Sequence, residues 1–502
     1  MSQIAHPLSS AAISRPNHNA LCWNQSSISY AGLVHLITLM SKELSNVFNM
    51  LPLTDYKSGE SNEQSNAKIA LIGPYDARWI CVAWALIELD FQVCPISLKA
   101  TSSERESRVS KCSYQIVILD DSCEVTRCVS YSNLNQDSIT IPWMSLKELE
   151  GYEPSKSEPI QTLKSLVWQR PLFALHTSGT TNKPKEISLT TEALVMSGFA
   201  SAIRLGLAPE DRWLCCLPFH HVGGLSIITR CALYQTTVVI SEANPNELAH
   251  AISEDTVSLA SLTPSLLDMI LDHMERKMIQ PNRGIRAILV GGAPTQQATW
   301  ERAIKYGMPI RLTWGMSEAC SQICTQLHAE PPNMMIPPLP FISVELDNPS
   351  NHQGALHEGQ FKITGPMVVN QSYLTNDLGQ IDHRGWVKVT GRADDVFISG
   401  GINIHPAEIE SRLLQHPSIT DAAVIACDDS KWGQRPVAII VPQKGDQLPN
   451  DSQLIDWCKE SLSKYKIPKK FCWVTALPRD ALGKLKRREI QFEDLREREG
   501  ER

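Results

Sequence analysis

The sequence lacks an apolar stretch long enough to cross a bilayer, because its most hydrophobic segment, residues 69–96, is interrupted by four charged side chains. It also lacks C-x-x-C pairs, and 14 cysteines in 502 residues are too sparse for a disulfide framework, which favours a reducing cytoplasm. No G-x-x-x-x-G-K-[ST] motif is present, so a Walker-type NTPase is disfavoured. A net charge of -7 argues against a general nucleic-acid binder. We therefore expect a soluble protein whose partners are small molecules, with no integral membrane association.

The N-terminal residues show no basic region followed by an apolar core, so we expect no cleaved targeting segment. A chain of 502 residues exceeds what one hydrophobic core usually serves, which predicts two or more domains. Between residue 20 and about residue 391, short β-rich runs alternate with amphipathic stretches, which predicts α/β layers. The predicted strands are 68–72, 114–119, 172–176, 237–241 and 285–290, and the predicted helices are 77–89 and 264–274. The polar segments 52–66 and 152–163 are interpreted as surface loops.

The composition changes near residue 391, and the residues after it carry strand and helix signals of their own. We predict one domain over residues 1–391 and a second over residues 392–502. Its predicted elements are strands 396–399, 421–426 and 436–441 and helices 405–415 and 452–463. The basic run with Lys484, Lys486, Arg487 and Arg488 would, on composition alone, be a solvated helix start or tail.

A segment rich in hydroxyl groups follows the apolar run 171–175. It reads His176-Thr177-Ser178-Gly179-Thr180-Thr181-Asn182-Lys183-Pro184-Lys185. Hydroxyl groups and exposed backbone N–H groups donate to phosphate oxygens, and lysines neutralise phosphate charge. Taken alone, such a segment is most often an ordinary surface turn. Together with the segments described next, it predicts a binding loop for a nucleoside triphosphate.

Four further segments follow this loop in chain order. They are Gly291-Gly292-Ala293-Pro294, Thr313-Trp314-Gly315-Met316-Ser317-Glu318, Thr375-Asn376-Asp377 and Leu482-Gly483-Lys484. The set resembles the adenylate-forming superfamily of acyl-CoA synthetases, peptide-synthetase adenylation domains and luciferases, over residues 20–490. The resemblance implies an α/β fold with a large N-terminal adenylate-forming domain of layered β-sheets and helices. It also implies a small, mobile C-terminal α+β lid domain.

The resemblance implies ATP, Mg²⁺ and coenzyme A as cofactor or co-substrates, and a role for each segment. The residues expected to hold the nucleotide are Thr177, Ser178, Gly179, Thr180, Thr181, Lys185, Gly292, Ala293, Pro294, Trp314, Gly315, Ser317, Asp377 and Arg392. Trp314 would stack on the adenine, a contact worth roughly 1–3 kcal/mol, although it could equally be a core residue. Asp377 would accept both ribose hydroxyls, because an ionised carboxylate is only an acceptor. Glu318 would hold Mg²⁺, which prefers oxygen ligands.

Lys484 is the residue expected to carry the first chemical step, with Glu318 and His221 as further catalytic residues. An ammonium between two anions, the substrate carboxylate and the α-phosphate, stabilises the transition state more than the separated reactants. Asp394 occupies the family's hinge position, about which the lid would rotate before the second step. Gly400 and Gly401 would let the backbone lie close to the pantetheine arm of coenzyme A, although a turn with positive φ would need them in any case.

The nature of the acid is suggested by the segment around His220 and His221, which lacks the aspartate that amino-acid-activating relatives place there. This segment, residues 315–325 and residues 399–410 resemble the 2-succinylbenzoate–CoA ligases of menaquinone and phylloquinone synthesis. Such a substrate keeps a second carboxylate, and a buried anion needs partners. The expected substrate residues are Arg230, Gly223, Gly224, Ser321 and Thr325.

Two alternatives stay open at this point: a ligase for another aryl or acyl acid, and an adenylation module that loads a carrier protein. Two departures from the family pattern are Asn182 and Asn376, which stand where glycine is usual. Asn tolerates left-handed backbone better than most residues, so both turns remain feasible. We expect these departures to affect rate rather than reaction type. The sequence leaves the oligomeric state open, and a homo-oligomer is possible.

Overall fold

The computed structural model describes residues 2–50, 67–110, 112, 114–117, 125–130, 138–142, 146–149, 152–154, 159–177, 185–254, 256–332, 334–350, 357–429, 432–443, 448–480, 483 and 485–490. Its strands, in chain order, are β1 Gln3–Ile4, β2 Asn19–Trp23, β3 Ser26–Ser29, β4 Lys68–Ile72, β5 Gln92–Ile96, β6 Tyr114–Val117, β7 Val125–Ser130, β8 Ser138–Pro142, β9 Leu166–Val167, β10 Pro171–Thr177, β11 Lys185–Thr190, β12 Arg212–Cys215, β13 Thr237–Ile240, β14 Leu259–Leu262, β15 Ala287–Val290, β16 Ile310–Met316, β17 Ser321–Thr325, β18 Ser343–Ser350, β19 His357–Thr364, β20 Ser372–Ile381, β21 Val387–Arg392, β22 Phe397–Ser399, β23 Ile402–Ile404, β24 Ile419–Asp429, β25 Gly433–Pro442 and β26 Phe471–Trp473.

The helices alternate with these strands over most of the chain. They are α1 Pro7–Ser14, α2 Tyr30–Met50, α3 Ala77–Glu88, α4 Ser102–Val109, α5 Leu146–Leu149, α6 Thr191–Leu205, α7 Val222–Tyr234, α8 Pro245–Ser253, α9 Pro264–Lys277, α10 Gln297–Lys305, α11 Pro406–Leu413 and α12 Asp451–Lys459. Polar caps explain several helix starts: Asp76 accepts from two backbone N–H groups of α3, and Thr263 precedes Pro264 at the start of α9. Of the helices that the structure describes, none is long and apolar enough to cross a membrane.

The large domain contains two broad mixed sheets: half of the strand pairings in the first are parallel, and the second is mainly parallel. One has the order β11-β10-β5-β4-β6-β7-β8, and the other has the order β17-β16-β15-β14-β12-β13-β2-β3. Helix α3 is buried along nearly its whole length, which fits a helix that is apolar on most of its surface. Within the described residues, the strands and helices predicted for this domain are present, with ends that differ by a few residues. Residues 118–119 of one predicted strand, the predicted loop 52–66 and residues 155–158 of the loop 152–163 lie outside the described residues. The α/β prediction is therefore confirmed.

A four-stranded antiparallel sheet, β18-β19-β20-β21, follows in the chain and brings Tyr373 and Asp377 onto one strand. The predicted boundary between residues 391 and 392 falls at the last residues of β21. The short 3-10 turn Ala393–Asp395 comes next, and β22 already belongs to another sheet.

The C-terminal lid has its own sheet, in the order β23-β22-β25-β24, with β26 added beside β25. Its core is separate and includes Ile409, Leu413, Val424 and Leu454. The predicted elements are present, but the solvated-tail interpretation is wrong for Arg487. That side chain is 19% exposed, and its guanidinium lies 2.5 Å from Glu410 and 3.5 Å from Asp395. Arg487 therefore ties the segment after Gly483 to the body of the lid.

Candidate active site

A long groove lies between the large domain and the lid, and residues of both domains line it. Its volume of about 3770 Å³ is larger than that of an ordinary ligand pocket, as expected for a cleft that two domains share. The carboxyl ends of the parallel strands β14, β15 and β16 open onto it, where ligands of open α/β sheets usually bind. The lining contains most of the residues that the sequence proposed.

Trp314 and Asp377 meet on one wall of the groove. The indole Nε1–H donates to Asp377 Oδ2 at 2.8 Å, and Arg392 approaches Asp377 Oδ1 at 3.4 Å. The Trp314 ring packs at 5.1 Å from the Phe361 ring, at an angle of 48°. The Trp314 ring thus packs against the core, and its N–H group orients the Asp377 carboxylate, which the sequence predicted to bind the ribose.

Glycines in this wall allow close backbone approach. An ideal Cβ at Gly315 would lie 1.7 Å from the carbonyl oxygen of Ser321, so β16 and β17 can meet here only without a side chain. Gly292 has φ +86°, a left-handed value that favours glycine. Gly292, Ala293 and Pro294 line the groove, as does Ser317, which begins a 3-10 turn with Glu318.

Another part of the groove brings together Lys185, Tyr373 and Glu318. The Lys185 Nζ lies 3.4 Å from the Tyr373 hydroxyl and 4.5 Å from the centre of its ring. Burial, together with the nearby charge of Glu318, raises the pKa of Tyr373 to about 12, so this hydroxyl remains a donor at neutral pH. Thr177 also lines the groove, whereas Ser178, Gly179, Thr180, Thr181, Asn182 and Lys183 lie outside the described residues.

No three His, Cys, Asp or Glu side chains are grouped as a metal-binding cluster within the described parts of the chain. Glu318 is instead a single carboxylate at the edge of the groove. Mg²⁺ is commonly held by one or two carboxylates together with phosphate oxygens of the substrate. The donor set therefore fits an ion that arrives with a nucleotide.

Arg230 lines the groove and is only 3% exposed. Its Nη2 donates to Ser197 Oγ at 3.1 Å, and Ser197 in turn donates to the carbonyl oxygen of Cys320 at 2.8 Å. Its Cζ lies 6.0 Å from the centre of the Trp213 ring, and burial lowers the pKa of the guanidinium. Arg230 has no carboxylate partner in the described part of the chain. Arg230 is therefore not part of an ion pair on a helix surface.

Two of the expected substrate residues do not face the groove. Thr325 is fully buried, and its Oγ1 is engaged by Thr313 Oγ1 at 3.0 Å and by Gln322 Nε2 at 2.8 Å. A Cβ at Gly224 would lie 2.4 Å from the carbonyl oxygen of Leu217, so this glycine serves close packing of α7 rather than room for a ring. Gly223 and Ser321 do line the groove.

His221 lies beside His220, which in turn contacts Tyr75, a residue that the sequence did not indicate as part of the site. The ring centres of His220 and His221 are 4.0 Å apart, and the Tyr75 hydroxyl makes a short hydrogen bond to His220 Nδ1. Burial lowers the pKa of His220 to about 3, so this ring is neutral. Burial also lowers the pKa of His221, while the charge of Asp480 acts in the opposite direction. Asp480 belongs to the lid, so the lid reaches this part of the groove.

The lid meets the large domain at Gly483 and at Thr420. A Cβ at Gly483 would lie 2.2 Å from Ser265 Oγ, and Gln296 Nε2 donates to the Thr420 carbonyl oxygen at 3.1 Å. Lys484 itself lies outside the described residues. Asp394 forms an ion pair with Arg392 at 2.9 Å, so the proposed hinge is joined to the wall that contains Asp377.

Gly400 and Gly401 form the turn between β22 and β23 and have φ values of +58° and +81°. A Cβ at Gly400 would lie 2.3 Å from the Trp432 ring. These glycines do not belong to the lining of the groove in this arrangement of the domains. Both glycines thus adopt the positive φ values that the turn needs. The expected contact with coenzyme A would need a different position of the lid.

Comparison with known families identifies two matching models. The model "AMP-binding enzyme" matches residues 57–373, and the model "AMP-binding enzyme C-terminal domain" matches residues 408–484. A curated 2-succinylbenzoate–CoA ligase from Bacillus cereus is 32% identical over 376 residues, which cover 71% of this chain and 76% of the relative.

Solved structures of two related complexes can be superposed on almost the whole chain. The o-succinylbenzoate CoA synthetase of Bacillus subtilis in complex with the acyl-adenylate intermediate OSB-AMP is 26% identical, with a TM-score of 0.79 and coverage of 97% of this chain and 98% of that chain. The same enzyme in complex with ATP and magnesium ion has a TM-score of 0.79 and 26% identity, with 97% and 99% coverage. The two-domain adenylate-forming fold predicted from the sequence is therefore confirmed.

Proposed function

The chain belongs to the AMP-binding enzyme family, and on this premise we propose that it is an ATP-dependent ligase that joins 2-succinylbenzoate to coenzyme A. In the first step a carboxylate oxygen attacks the α-phosphorus of ATP, an acyl–phosphate bond forms, and the bond to diphosphate breaks. In the second step the thiolate of coenzyme A attacks the acyl carbon, a thioester forms, and AMP leaves. The thioester serves menaquinone or phylloquinone synthesis, and the reaction takes place in the cytoplasm.

The wall formed by Trp314, Asp377 and Arg392 is the observation that supports nucleotide binding most strongly. Asp377 is held by the indole at 2.8 Å, so its carboxylate is fixed in position before a ligand arrives. An oriented carboxylate can accept hydrogen bonds from two ribose hydroxyl groups without reorganisation. The Bacillus relative with ATP and magnesium ion shares this fold, which supports ATP as the ligand.

The phosphate groups would lie beyond the ribose, near Lys185 and Tyr373. The Lys185 ammonium neutralises phosphate charge, and the Tyr373 hydroxyl is a donor at neutral pH. Glu318 would hold Mg²⁺ together with phosphate oxygens of ATP. When bound, Mg²⁺ would neutralise charge on the phosphate groups.

Arg230 supports an acid with a second carboxylate. A buried guanidinium without a carboxylate partner among the described residues is costly to maintain, and an incoming anion would compensate its charge. The ring carboxylate of 2-succinylbenzoate meets this requirement when the succinyl carboxylate reacts. Ser321 and Gly223 are proposed to line the same pocket, whereas Thr325 and Gly224 hold its wall in place.

The lid is proposed to act in two positions. In the position described here, Gly483 touches Ser265, which would bring the neighbouring Lys484 toward the groove for the first step. Rotation about Asp394 would break the ion pair between Asp394 and Arg392 and bring the turn of Gly400 and Gly401 toward the site of coenzyme A. His221 is proposed to act next to the acyl group as a neutral imidazole, because burial lowers its pKa.

The test measures both steps separately. The protein is incubated with ATP, Mg²⁺, labelled diphosphate and one acid, and the isotope exchange into ATP reports the first step. Coenzyme A is then added, and thioester and AMP are quantified. We expect exchange and thioester formation with 2-succinylbenzoate, and much weaker turnover with 4-oxo-4-phenylbutanoate, which lacks only the ring carboxylate.

Three other results would contradict the proposal. Strong turnover with benzoate derivatives or fatty acids and none with 2-succinylbenzoate would indicate a ligase for another acid. Exchange without thioester would indicate a module that loads a carrier protein. Absence of exchange with every acid would exclude adenylate formation itself.

A further inference from the structure

We propose that Arg479 is a positioning residue that holds the backbone next to the catalytic lysine in place for adenylation. This inference rests on the proposed function, because it assigns a role in the first of the two steps. Arg479 lies in the lid, five residues before Lys484, and lines the groove. Its part in the reaction is to act on the Gly483–Lys484 peptide rather than on a substrate.

The guanidinium of Arg479 makes three defined contacts. Its Nε donates to Asp421 Oδ2 at 3.0 Å, and its Nη2 donates to Asp421 Oδ1 at 2.6 Å. Its remaining terminal nitrogen, Nη1, donates to the carbonyl oxygen of Gly483 at 2.6 Å. Arginine is suited to this task because its planar fork can engage a carboxylate with two nitrogens and leave a third for another acceptor.

Asp421 is itself fixed. It belongs to β24 of the lid sheet, and its Oδ1 also accepts the backbone N–H of Ala422 at 2.9 Å. The chain around Gly483 forms a tight turn, in which Gly483 N donates to the Asp480 carbonyl oxygen at 2.9 Å and Lys486 N donates to the Pro478 carbonyl oxygen at 2.9 Å. Arg479 therefore connects this turn to the lid sheet through a side chain.

The other side of the same turn touches the large domain. Gly483 has φ +79°, and a Cβ at this position would lie 2.2 Å from Ser265 Oγ, near the start of α9. The Gly483 carbonyl that Arg479 holds belongs to the peptide bond that joins Gly483 to Lys484. A displacement of this peptide would move Lys484 directly, because the two residues share that bond.

Exposure indicates that the pair acts on position rather than on fold stability. The side chains of Arg479 and Asp421 are 33% and 21% exposed, so water screens their charges. Ion pairs with such access to solvent contribute little to the free energy of unfolding. On this proposal the contact with Gly483 orders the backbone next to Lys484, and a displacement of about 1 Å at a reacting group can reduce rates about 100-fold.

The experiment compares Arg479→Met, Arg479→Lys and Asp421→Asn with the wild type in two assays. Isotope exchange between diphosphate and ATP in the presence of 2-succinylbenzoate measures adenylation. Thioester formation from chemically supplied acyl-adenylate and coenzyme A measures the second step. Arg412→Met is the matched control, because Arg412 forms an ion pair with Glu460 in the same lid, at 2.5 Å, and does not line the groove.

We expect Arg479→Met to lower the kcat of exchange about 10- to 100-fold with little change in the KM for ATP, while thioester formation stays within about threefold. Asp421→Asn should lower exchange less, and it should add little in the Arg479→Met background, since both changes disrupt one contact. Arg479→Lys should recover only part of the rate, because an ammonium lacks the fork. Arg412→Met should leave the ratio of the two rates unchanged.

Equal losses in both assays, or a changed ratio in Arg412→Met as well, would show that Arg479 only supports the lid fold and would overturn the proposal. Unchanged exchange in Arg479→Met would also overturn it. Failure of the proposed function looks different, because the wild type itself would then show no exchange with 2-succinylbenzoate. The two failures are therefore distinguishable.

Discussion

The hydrogen bond between Trp314 and Asp377 allows a sharp test of the nucleotide wall. Replacing Trp314 with Phe keeps an aromatic ring against Phe361 and removes the indole N–H that donates to Asp377 at 2.8 Å. Asp377 then keeps Arg392, whose nitrogen is 3.4 Å away and therefore a weaker partner. The carboxylate loses its best donor but not its charge.

The size of the effect follows from the type of bond. A hydrogen bond to a charged group contributes about 1.5–3 kcal/mol, and we take the lower end because Arg392 remains. A loss of about 1.4 kcal/mol corresponds to a factor of ten in binding. Because Asp377 is proposed to contact the ribose in the ground state and the transition state alike, Trp314→Phe should raise the KM for ATP about tenfold, with kcat nearly unchanged.

Isotope exchange at varied ATP concentrations measures this change, with Trp386→Phe as control. Trp386 packs under Arg384 at 3.9 Å and does not line the groove, so its replacement should leave the KM unchanged. If Trp314→Phe behaves like the wild type while Trp314→Ala raises the KM, the ring and not the N–H would be the important group. Orientation of Asp377 by the indole would then be refuted.

Three further predictions concern other parts of the molecule. Arg230→Met should lower kcat/KM for 2-succinylbenzoate about 30-fold or more but change that for 4-oxo-4-phenylbutanoate much less, and equal losses would contradict its role. Lys484→Ala should lower adenylation by at least about 100-fold while thioester formation from supplied acyl-adenylate survives, and a parallel loss would contradict the use of two lid positions. His6 is buried with a pKa lowered to about 3, so between pH 6 and pH 4 only the unfolded chain gains its proton, and the stability from this group falls by about 2 kcal/mol as pH falls. Urea unfolding at both pH values should show that His6→Gln reduces this pH dependence, and an unchanged dependence would refute the assignment.

The sequence predicted the layers and the nucleotide segments because these depend on local signals. Strand β4 was predicted with its observed ends. Its apolar run is too short for a helix, and it lies in a chain where short β-rich runs alternate with helical stretches. The helix Pro264–Lys277 was predicted three residues short, because its last turn is charged and carries no apolar signal. The lid was predicted as a separate unit from a change of pattern alone.

The contacts between side chains were harder to predict from the sequence, because the partners come from distant parts of the chain. Tyr373 was overlooked, although it lies four residues before Asp377 and a strand places such residues on one face. Tyr75 joins His220 across 145 residues, a pairing without any local signal. Thr325 had the right chemistry for a substrate donor, but the pairing of β16 with β17 turns its hydroxyl toward Thr313.

The strand β20, which carries both Tyr373 and Asp377, sets the distance between two parts of the groove. Tyr373 lies at the end of the groove proposed for the phosphates, and Asp377 lies at the end proposed for the ribose. An irregularity in the pairing of β19 with β20 falls between them, so the four-residue step is shorter than the roughly 13 Å of a fully extended strand. A ligand that reaches only one of these ends forgoes the contacts of the other. Discrimination between a nucleoside triphosphate and its shorter breakdown products can thus be built into the spacing of a single piece of backbone, before any side chain in the pocket moves.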